Sequence, residues 1–183
     1  MLLTATPSEA LQWIQTPRQI FKERVVPAEF PHSPDSPYQP EYDWLFIYER
    51  RIAAFLETWL KPFRYELIGE KGILCEALSN AFCHGHDKDP DKPIVVRVVL
   101  GDRGLIIQVK DTGSGFDAPT VYRRFRNQKK YYWTAGNGIR HMAVSPHFGV
   151  MHDPTGTVCL ILHLFGNGMT QLVPTQKIIE VPG

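Results

Sequence analysis

The stretch EALSNAFCHGH, residues 76 to 86, combines a helical repeat of polar side chains with an abrupt stop. Glu76, Asn80 and His84 recur every four residues, and residues four apart lie on one face of an α-helix. Gly85 then ends the pattern, as glycine commonly does just beyond a helix. A carboxylate, an amide and an imidazole on one face form either a solvated stripe or the floor of a site, and the spacing alone leaves both open.

The apolar residues upstream of this stretch predict two helices. Leu45, Ile52 and Trp59 belong to a pattern with helical steps over roughly residues 41–60, which Lys61-Pro62 ends. The opening stretch lies in a second predicted helix, over about residues 64–83. Residues 31–40, PHSPDSPYQP, are rich in proline and serine and predict a loop. We therefore expect an N-terminal extension over 1–40 and a main domain over 41–183.

Downstream of the helices the hydrophobic period changes to that of β-strands. PIVVRVVL (93–100) and LIIQVKD (105–111) flank GDRG and predict a hairpin. One face of this hairpin is apolar, and the other carries Arg97, Gln108 and Lys110. TVCLILHLF (157–165) predicts another strand, and QLVPTQKIIEV (171–181) is a candidate edge strand. The pattern predicts an α+β fold with helices packed on one face of a mixed, mostly antiparallel sheet.

Composition excludes several classes of protein. The chain has 183 residues and a formal charge of +1, so no global field draws it to nucleic acid or to a membrane surface. No apolar run reaches the roughly 20 residues that a membrane helix needs, and the N-terminus does not have the pattern of a secretory signal. Cys75, Cys83 and Cys159 lack metal-like spacing and predict reduced thiols in a cytoplasmic protein.

Two further motifs follow the opening stretch. DTGSGF begins at Asp111, where a predicted strand ends, and Gly136-Asn137-Gly138 precedes a predicted helix. Each motif is weak on its own, because glycine serves many turns and an aspartate at a strand end is often an Asx-turn. His84 and His86, with acidic residues nearby, are also weighed as a metal site. That reading is disfavoured, because a polar, unconstrained loop does not impose coordination geometry.

Taken in order, the three motifs resemble the GHKL ATP-binding superfamily, which groups gyrase, histidine kinases, a heat-shock chaperone and mismatch-repair ATPases. The resemblance covers about residues 41–165. The short length, the NAxxH extension of the helix motif and the closing Thr155-Gly156-Thr157 are most similar to bacterial anti-sigma factor serine/threonine kinases. The resemblance implies a two-layer α/β sandwich of the Bergerat type, with a histidine kinase-like ATP-binding domain over 41–183.

The resemblance also implies ATP and Mg²⁺ as cofactors and gives roles to particular residues. Glu76 is the implied catalytic base, and Asn80 is the implied magnesium ligand, with a neutral carbonyl oxygen of the kind that Mg²⁺ accepts. Asp111, which can only accept hydrogen bonds when ionised, is implied to read the exocyclic amine of adenine. The other implied nucleotide-binding residues are His84, Gly113, Gly115, Phe116, Lys129, Lys130, Gly136, Asn137, Gly138, Ile139 and Thr157.

Some of these roles have simpler alternatives. Thr157 is equally well explained as a β-branched strand residue. The segment between the two glycine motifs is either a solvated basic loop or, as in the superfamily, a flexible lid over the nucleotide. Its cations are Arg123, Arg124, Arg126, Lys129 and Lys130.

The implied function is that of a protein serine/threonine kinase that phosphorylates a small anti-sigma factor antagonist, with a sigma factor as the regulated client. Two alternatives stay open: a nucleotide-dependent adaptor that transfers nothing, and the separate catalytic domain of a histidine kinase. The chain departs from the family in its proline loop, a candidate partner-binding arm or homodimer contact. It also departs in Asn137, the middle residue of the second glycine motif, which leaves kinase activity an open question.

Overall fold

A computed structural model describes residues 1–127, 137–166 and 173–179 of the chain. The strands are β1 (Leu2–Leu3), β2 (Arg18–Val25), β3 (Ile94–Gly101), β4 (Gly104–Lys110), β5 (Gly149–His152), β6 (Val158–Leu164) and β7 (Ile178–Ile179). The α-helices are α1 (Pro7–Ile14), α2 (Asp43–Phe55), α3 (Glu57–Leu60), α4 (Arg64–Leu67), α5 (Ile73–Asn80), α6 (Ala118–Arg126) and α7 (Asn137–Val144). A π-helical turn, Ala81–Gly85, continues α5.

The strands form one seven-stranded mixed sheet in the order β2-β3-β4-β6-β5-β1-β7. The predicted hairpin is present, with Val98 opposite Ile107, and Ile107 in turn lies opposite Ile161 of β6. Among the described strands, only β1 and β5 pair in parallel, and the other pairs are antiparallel. The predicted α+β fold is therefore confirmed.

The main core lies between the helices and one face of the sheet. Every second residue of β3 and β4 faces it, as the two-residue period of a strand requires. Fully burying an aliphatic side chain contributes about 1.5–3 kcal/mol, so this layer supplies most of the apolar stabilisation. Its members include Leu45, Ile52, Leu56, Leu74, Leu78, Ile94, Val96, Val98, Leu105, Ile107, Val109 and Ile161.

Helix α1 adds a smaller cover on the opposite face. Ile14 and Ala10 of α1 are fully buried and pack with Ile106 and Leu162 of the sheet. The helix starts with a capping box, in which the Thr6 hydroxyl accepts from Glu9 N–H at 3.2 Å and the Glu9 carboxylate accepts from Thr6 N–H at 2.7 Å. The other half of this face, with Arg97, carries half-buried and exposed side chains.

The predicted helix over residues 64–83 is wrong as a continuous element. It divides into α4 and α5, joined by residues 68–72. Gly69 has a φ of +91°, a left-handed conformation that favours glycine, and its N–H donates to Glu49 Oε2 at 3.0 Å. Helix α2 likewise stops at Phe55, short of the predicted end at residue 60.

The first forty residues contribute two strands of the sheet, β1 and β2. In the proline loop, Tyr38 O–H donates to Glu49 Oε1 at 3.1 Å, and His32 contacts Asp43 at the start of α2. The domain boundary at residue 40 stays a prediction. All three cysteines are free, as expected, and no helix in the described parts of the chain is long and apolar enough to cross a bilayer.

Candidate nucleotide site

A cavity of about 260 Å³ lies where α5, α7, β4 and β6 meet. Its walls come from elements that lie far apart in the sequence. Its lining residues are Ala77, Asn80, Ala81, His84, Gly85, Val109, Asp111, Gly115, Phe116, Gly138, Ile139, His152, Gly156 and Cys159. Seven of the residues singled out in the sequence are among them: Asn80, His84, Asp111, Gly115, Phe116, Gly138 and Ile139.

Asn80 and His84 reach the cavity from one continuous stretch of helix. Asn80 is the last residue of α5, and His84 lies in the π-helical turn that follows. This turn prolongs the helical path to Gly85, beyond the end at Cys83 that the sequence predicts. Such π-helical insertions often occur at functional sites, because they shift side chains relative to a regular helix. Asn80 and His84, two of the three residues that the sequence places on one helix face, therefore line the same cavity.

Asp111 follows directly after β4 and is 8% exposed. Its Oδ1 accepts from Gly113 N–H at 2.8 Å, and its own N–H donates to Thr157 O at 3.1 Å. A Cβ added to Gly85 would lie 2.7 Å from the same Oδ1. Burial raises the pKa of Asp111, although the bond from Gly113 opposes this. The Asx-type turn that was the alternative explanation for Asp111 is thus present, and the same carboxylate also lines the cavity.

The turn after Asp111 is held by close backbone contacts. Gly115 has a φ of +66°, and a Cβ there would collide with Thr155 O. Phe116 N–H donates to the same carbonyl at 2.8 Å. Thr157 lies beside this turn, with its hydroxyl 3.0 Å from that of Thr155, but it does not line the cavity. Gly113 supports the turn from behind, packed against Gly85 O.

Glu76 lies beside the cavity, outside its lining. The side chain is half-buried and its carboxylate rests against Gly138, so that a Cβ on Gly138 would collide with Glu76 Oε1. The start of α7 therefore packs directly on α5. Glycine at position 138 permits this close approach without displacing Glu76, which gives the second glycine motif a structural reason in this fold.

His86 is a residue of the site region whose position the sequence motifs did not reveal. It is fully buried, and its Nε2 accepts from Thr112 N–H at 3.2 Å. Burial lowers the pKa of His86, which favours the neutral imidazole that can accept this bond. Its Nδ1 is buried and has no partner in the described part of the chain. The HGH pattern pointed only to a metal site, and no cluster of three candidate ligands occurs among the described residues.

His152 also lines the cavity, and no sequence motif pointed to it. It ends β5, its Nδ1 lies 2.7 Å from the Tyr122 hydroxyl, and the Phe116 ring packs edge-on to it at 5.2 Å between centroids. Burial lowers the pKa of His152 to about 4, so the ring is neutral at pH 7. It therefore contributes a neutral, partly apolar wall to the cavity that Asp111 also lines.

The predicted lid is described in part. Its first half forms α6, which Asp117 caps by accepting from Thr120 N–H at 3.0 Å. Lys129, Lys130 and Gly136 lie outside the described residues. Asn137 is the first residue of α7.

The arrangement has a definite chemical character. The lining contains the Asp111 carboxylate and the Asn80 amide, which α5 carries. Val109, Ile139 and Cys159 make its walls apolar. Such a site suits a flat, largely apolar ring that carries a hydrogen-bond donor, joined to a polar group.

Comparison with known proteins identifies a family whose model matches the part of the chain that forms much of this cavity. A family model described as "Histidine kinase-like ATPase domain" matches residues 49–140. An anti-sigma F factor of Heyndrickxia coagulans is 38% identical over 66 residues, which are 36% of this chain and 44% of that protein. Anti-sigma F factors of Shouchella clausii (strain KSM-K16) and Priestia megaterium are 36% identical over 64 residues and 33% identical over 67 residues.

These alignments cover 35% to 36% of this chain and 43% to 45% of each relative, so the similarity spans less than half of those proteins. The family match is longer, covers half of the 183 residues, and includes Glu76, Asn80, Asp111 and Gly138. The chain therefore belongs to the histidine kinase-like ATPase domain family.

Proposed function

We propose that the cavity binds ATP with Mg²⁺ and that the chain is a protein serine/threonine kinase of the anti-sigma factor type. The observation that carries the proposal is that Asn80 and Asp111, which strands β3 and β4 separate in sequence, line one cavity. Had these side chains lain on opposite sides of the sheet, no single nucleotide could contact both.

Asp111 is the group that suits adenine. An ionised carboxylate only accepts hydrogen bonds, and adenine presents its exocyclic amine as a donor. Guanine carries a carbonyl at the corresponding position, so two acceptors would face each other there and binding would be weaker. Val109, Ile139 and Cys159 supply the apolar walls that a purine ring requires.

Asn80 is the group that suits the metal end. Mg²⁺ prefers oxygen ligands and bridges phosphates, and a neutral amide oxygen is sufficient where the phosphates already supply negative charge. Helix α7 starts beside Glu76, and its first N–H groups lack partners within the helix. These N–H groups favour a negative group at the same end of the cavity.

Glu76 would act as the base. In this role its carboxylate accepts the proton from a serine or threonine hydroxyl of the partner as that hydroxyl attacks the terminal phosphate. By analogy with the anti-sigma F factors, the partner is a small antagonist protein and a sigma factor is the client whose release phosphorylation controls. Homodimerisation through the proline loop belongs to the same proposal.

A nucleotide-dependent adaptor is the second candidate, and one observation favours it. The Glu76 carboxylate packs against Gly138 and is absent from the cavity lining, whereas Asn80 and Asp111 are present there. An adaptor needs nucleotide binding but no base. The two candidates therefore make the same prediction for Asp111 and different predictions for Glu76.

Substitution of Asp111 tests nucleotide binding. Asp111→Asn replaces one carboxylate oxygen by an NH2 group, which would face the exocyclic amine of adenine. We therefore expect ATP affinity to fall by about 10- to 100-fold, the cost of leaving that amine without an acceptor. Isothermal titration with ATP and Mg²⁺ measures it. Asp102→Asn, at the far hairpin turn, is the control and should bind as wild type does. Equal affinity in Asp111→Asn and wild type would exclude this cavity as the adenine site.

Substitution of Glu76 separates the kinase from the adaptor. Labelled ATP, Mg²⁺ and candidate antagonist proteins are incubated with wild type and with Glu76→Gln. We expect transfer by wild type and its loss in the variant, with ATP affinity kept within about threefold, because only the proton acceptor is removed. Tight ATP binding by wild type with no transfer to any antagonist would instead support the adaptor.

A further inference from the structure

A second cavity, of about 370 Å³, lies between residues 3–7 and the start of α6. We call it the rear cavity. Its lining residues are Leu3, Thr4, Ala5, Thr6, Pro7, Ala118, Pro119, Tyr122, Arg123, Arg126, His152 and Pro154. Its volume falls in the range of about 300–1,000 Å³ that small-molecule sites occupy. The proposed nucleotide function uses neither this space nor most of these residues.

The walls of the rear cavity are largely preformed. Three of its lining residues are prolines, whose rings fix the backbone φ angle, and Ala118 and Leu3 are almost fully buried. The Thr6 and Thr4 hydroxyls are engaged elsewhere, in the cap of α1 and on Lys177 O at 3.3 Å. The interior therefore offers mainly apolar contacts, and an occupant needs an apolar body.

Two arginines give the mouth of this cavity a positive charge. Arg123 and Arg126 are exposed and lie one helical turn apart on α6. Arg123 donates to Thr120 Oγ1 at 3.1 Å and keeps further N–H donors, since guanidinium has five. Within the described residues, Arg126 makes no hydrogen bond or ion pair.

The carboxylates near this mouth already have partners. Asp117 accepts from Thr120 N–H at 3.0 Å, and Asp153 accepts from Val158 N–H at 2.8 Å. Glu9 pairs with Lys177 at 2.9 Å. None of these three side chains lines the cavity. Asp117 keeps its negative charge and interacts with Arg123, but among the described residues the cavity lining itself contains two arginines and no carboxylate, which complements an anion.

We propose that the rear cavity binds a small organic anion, with its apolar body between residues 3–7 and α6 and its anionic group on Arg123 and Arg126. Guanidinium pairs well with carboxylate, sulfonate and phosphate groups, because its N–H donors form a planar fork. The chemical class is an amphipathic anion such as a medium-chain carboxylate.

The rear cavity is adjacent to the nucleotide cavity. His152 lines both, and the Tyr122 hydroxyl, 2.7 Å from His152 Nδ1, belongs to the rear wall. A molecule that entered the nucleotide cavity instead would lie against Asn80 and Asp111, neither of which lines the rear cavity. The two locations are thus distinguishable by the residues on which binding depends.

The test uses the whole chain and octanoate as the probe, followed by isothermal titration. Arg126→Gln should weaken octanoate binding about fivefold to tenfold, the loss expected for one charge-assisted hydrogen bond at a partly exposed site. Arg124→Gln is the matched control, because Arg124 is exposed on the same helix and does not line the cavity. It removes the same charge and should leave the affinity unchanged. Octanol, which lacks the anionic group, should bind more weakly than octanoate.

Three outcomes would overturn the proposal. Octanoate fails to bind wild type, or both arginine variants bind it equally well, or the affinity depends on Asp111→Asn rather than on Arg126→Gln. The last result would place octanoate in the nucleotide cavity. ATP binding by the arginine variants is measured in parallel, so that a failure of the rear-cavity proposal is distinct from a failure of the nucleotide proposal.

Discussion

Asp111 is held in surroundings that disfavour its own charge. It is 8% exposed, burial raises its pKa, and the hydrogen bond from Gly113 N–H, with smaller contributions from His86 and its own backbone N–H, compensates in part. We propose that ligand binding, rather than folding, is the reason for a carboxylate that lowers stability yet lines an apolar cavity. The residue therefore offers a separate test of the site, on stability rather than affinity.

We expect Asp111→Asn to raise the free energy of unfolding of the ligand-free protein at pH 7. The folded pKa of Asp111 is raised, so the folded state prefers the proton, and this contribution is lost as pH rises through the folded pKa. The amide is neutral throughout and can still accept from Gly113 N–H. Urea unfolding at pH 7 and in mild acid measures the difference, which should shrink in acid.

Asp153→Asn is the control, for which we expect the opposite change in the free energy of unfolding. Burial raises the pKa of Asp153, but hydrogen bonds from Thr155 and Val158 lower it overall. Its charged form therefore stabilises the fold, and the amide should be less stable than wild type at pH 7. A gain of stability in both variants, or a loss in both, would contradict this account of Asp111.

The glycines of the site give a second prediction at this scale. A Cβ on Gly113 would collide with Gly85 O, which is backbone, whereas a Cβ on Gly138 would collide with the flexible end of Glu76. We expect Gly113→Ala to cost about 1–3 kcal/mol, as other overpacked sites do, and Gly138→Ala to cost less because Glu76 moves aside.

Adding Glu76→Ala to each alanine variant distinguishes the two causes, with thermal unfolding as the measurement. The second substitution should restore the stability of Gly138→Ala and leave Gly113→Ala as unstable as before. Restoration of both variants, or of neither, would refute the packing that is described here.

The sequence motifs predicted site residues that have a regular position in a helix or at the end of a strand. Asn80 follows Glu76 by one helical step, and Asp111 ends a strand that is recognisable from its period. His86 and His152 carried no such signal. One is buried under Thr112 and the other is packed against Phe116, and both contacts join residues far apart in sequence. Patterns within a short window do not contain that information.

At the scale of elements, the break between α4 and α5 depends on α2. Glu49 of α2 is fully buried and accepts from Gly69 N–H at 3.0 Å and from Tyr38 O–H at 3.1 Å. It thus ties the break and the proline loop to one helix. The sequence pattern predicted an unbroken helix over 64–83, because its apolar stripe continues across the break and the partner of Gly69 lies twenty positions upstream.

We expect Glu49→Ala to destabilise the protein by about 1–3 kcal/mol, because it leaves two half-buried donors without their acceptor and removes the ion pair with Arg50 at 2.8 Å. Tyr38→Phe removes only the second of these bonds and should cost about 0.5–1.5 kcal/mol. Urea unfolding at pH 7 gives both values. If Glu49→Ala cost no more than Tyr38→Phe, neither the bond to Gly69 nor the ion pair with Arg50 would contribute to stability.

At the scale of the whole molecule, the sheet separates two apolar layers with different tasks. The layer with α2 and α5 contains the cavity wall, through Val109 and Cys159. The layer under α1 contains Ile14 and Ile106 on the opposite face. The strand period predicted the apolar and wetter faces of the hairpin, but the part of the second face that α1 covers follows from where the N-terminal residues pack, which no local pattern indicates.

This separation predicts that stability and nucleotide affinity are independent on the far face. Ile14→Ala and Leu78→Ala each truncate a fully buried side chain, and each should cost about 2–5 kcal/mol. Leu78 is part of α5, which carries Ala77 and Asn80 of the cavity, so its loss lets that helix shift. Among the described residues, Ile14 belongs to the cluster on the opposite face of the sheet from α5.

We therefore expect Ile14→Ala to bind ATP as wild type does and Leu78→Ala to bind it more weakly, in titrations at a temperature where every variant is folded. Circular dichroism before each titration confirms that condition. If both variants lost affinity to the same extent, general loosening of the fold would explain it. The two faces of the sheet would then act as one cooperative unit, since damage on either side would reach the cavity.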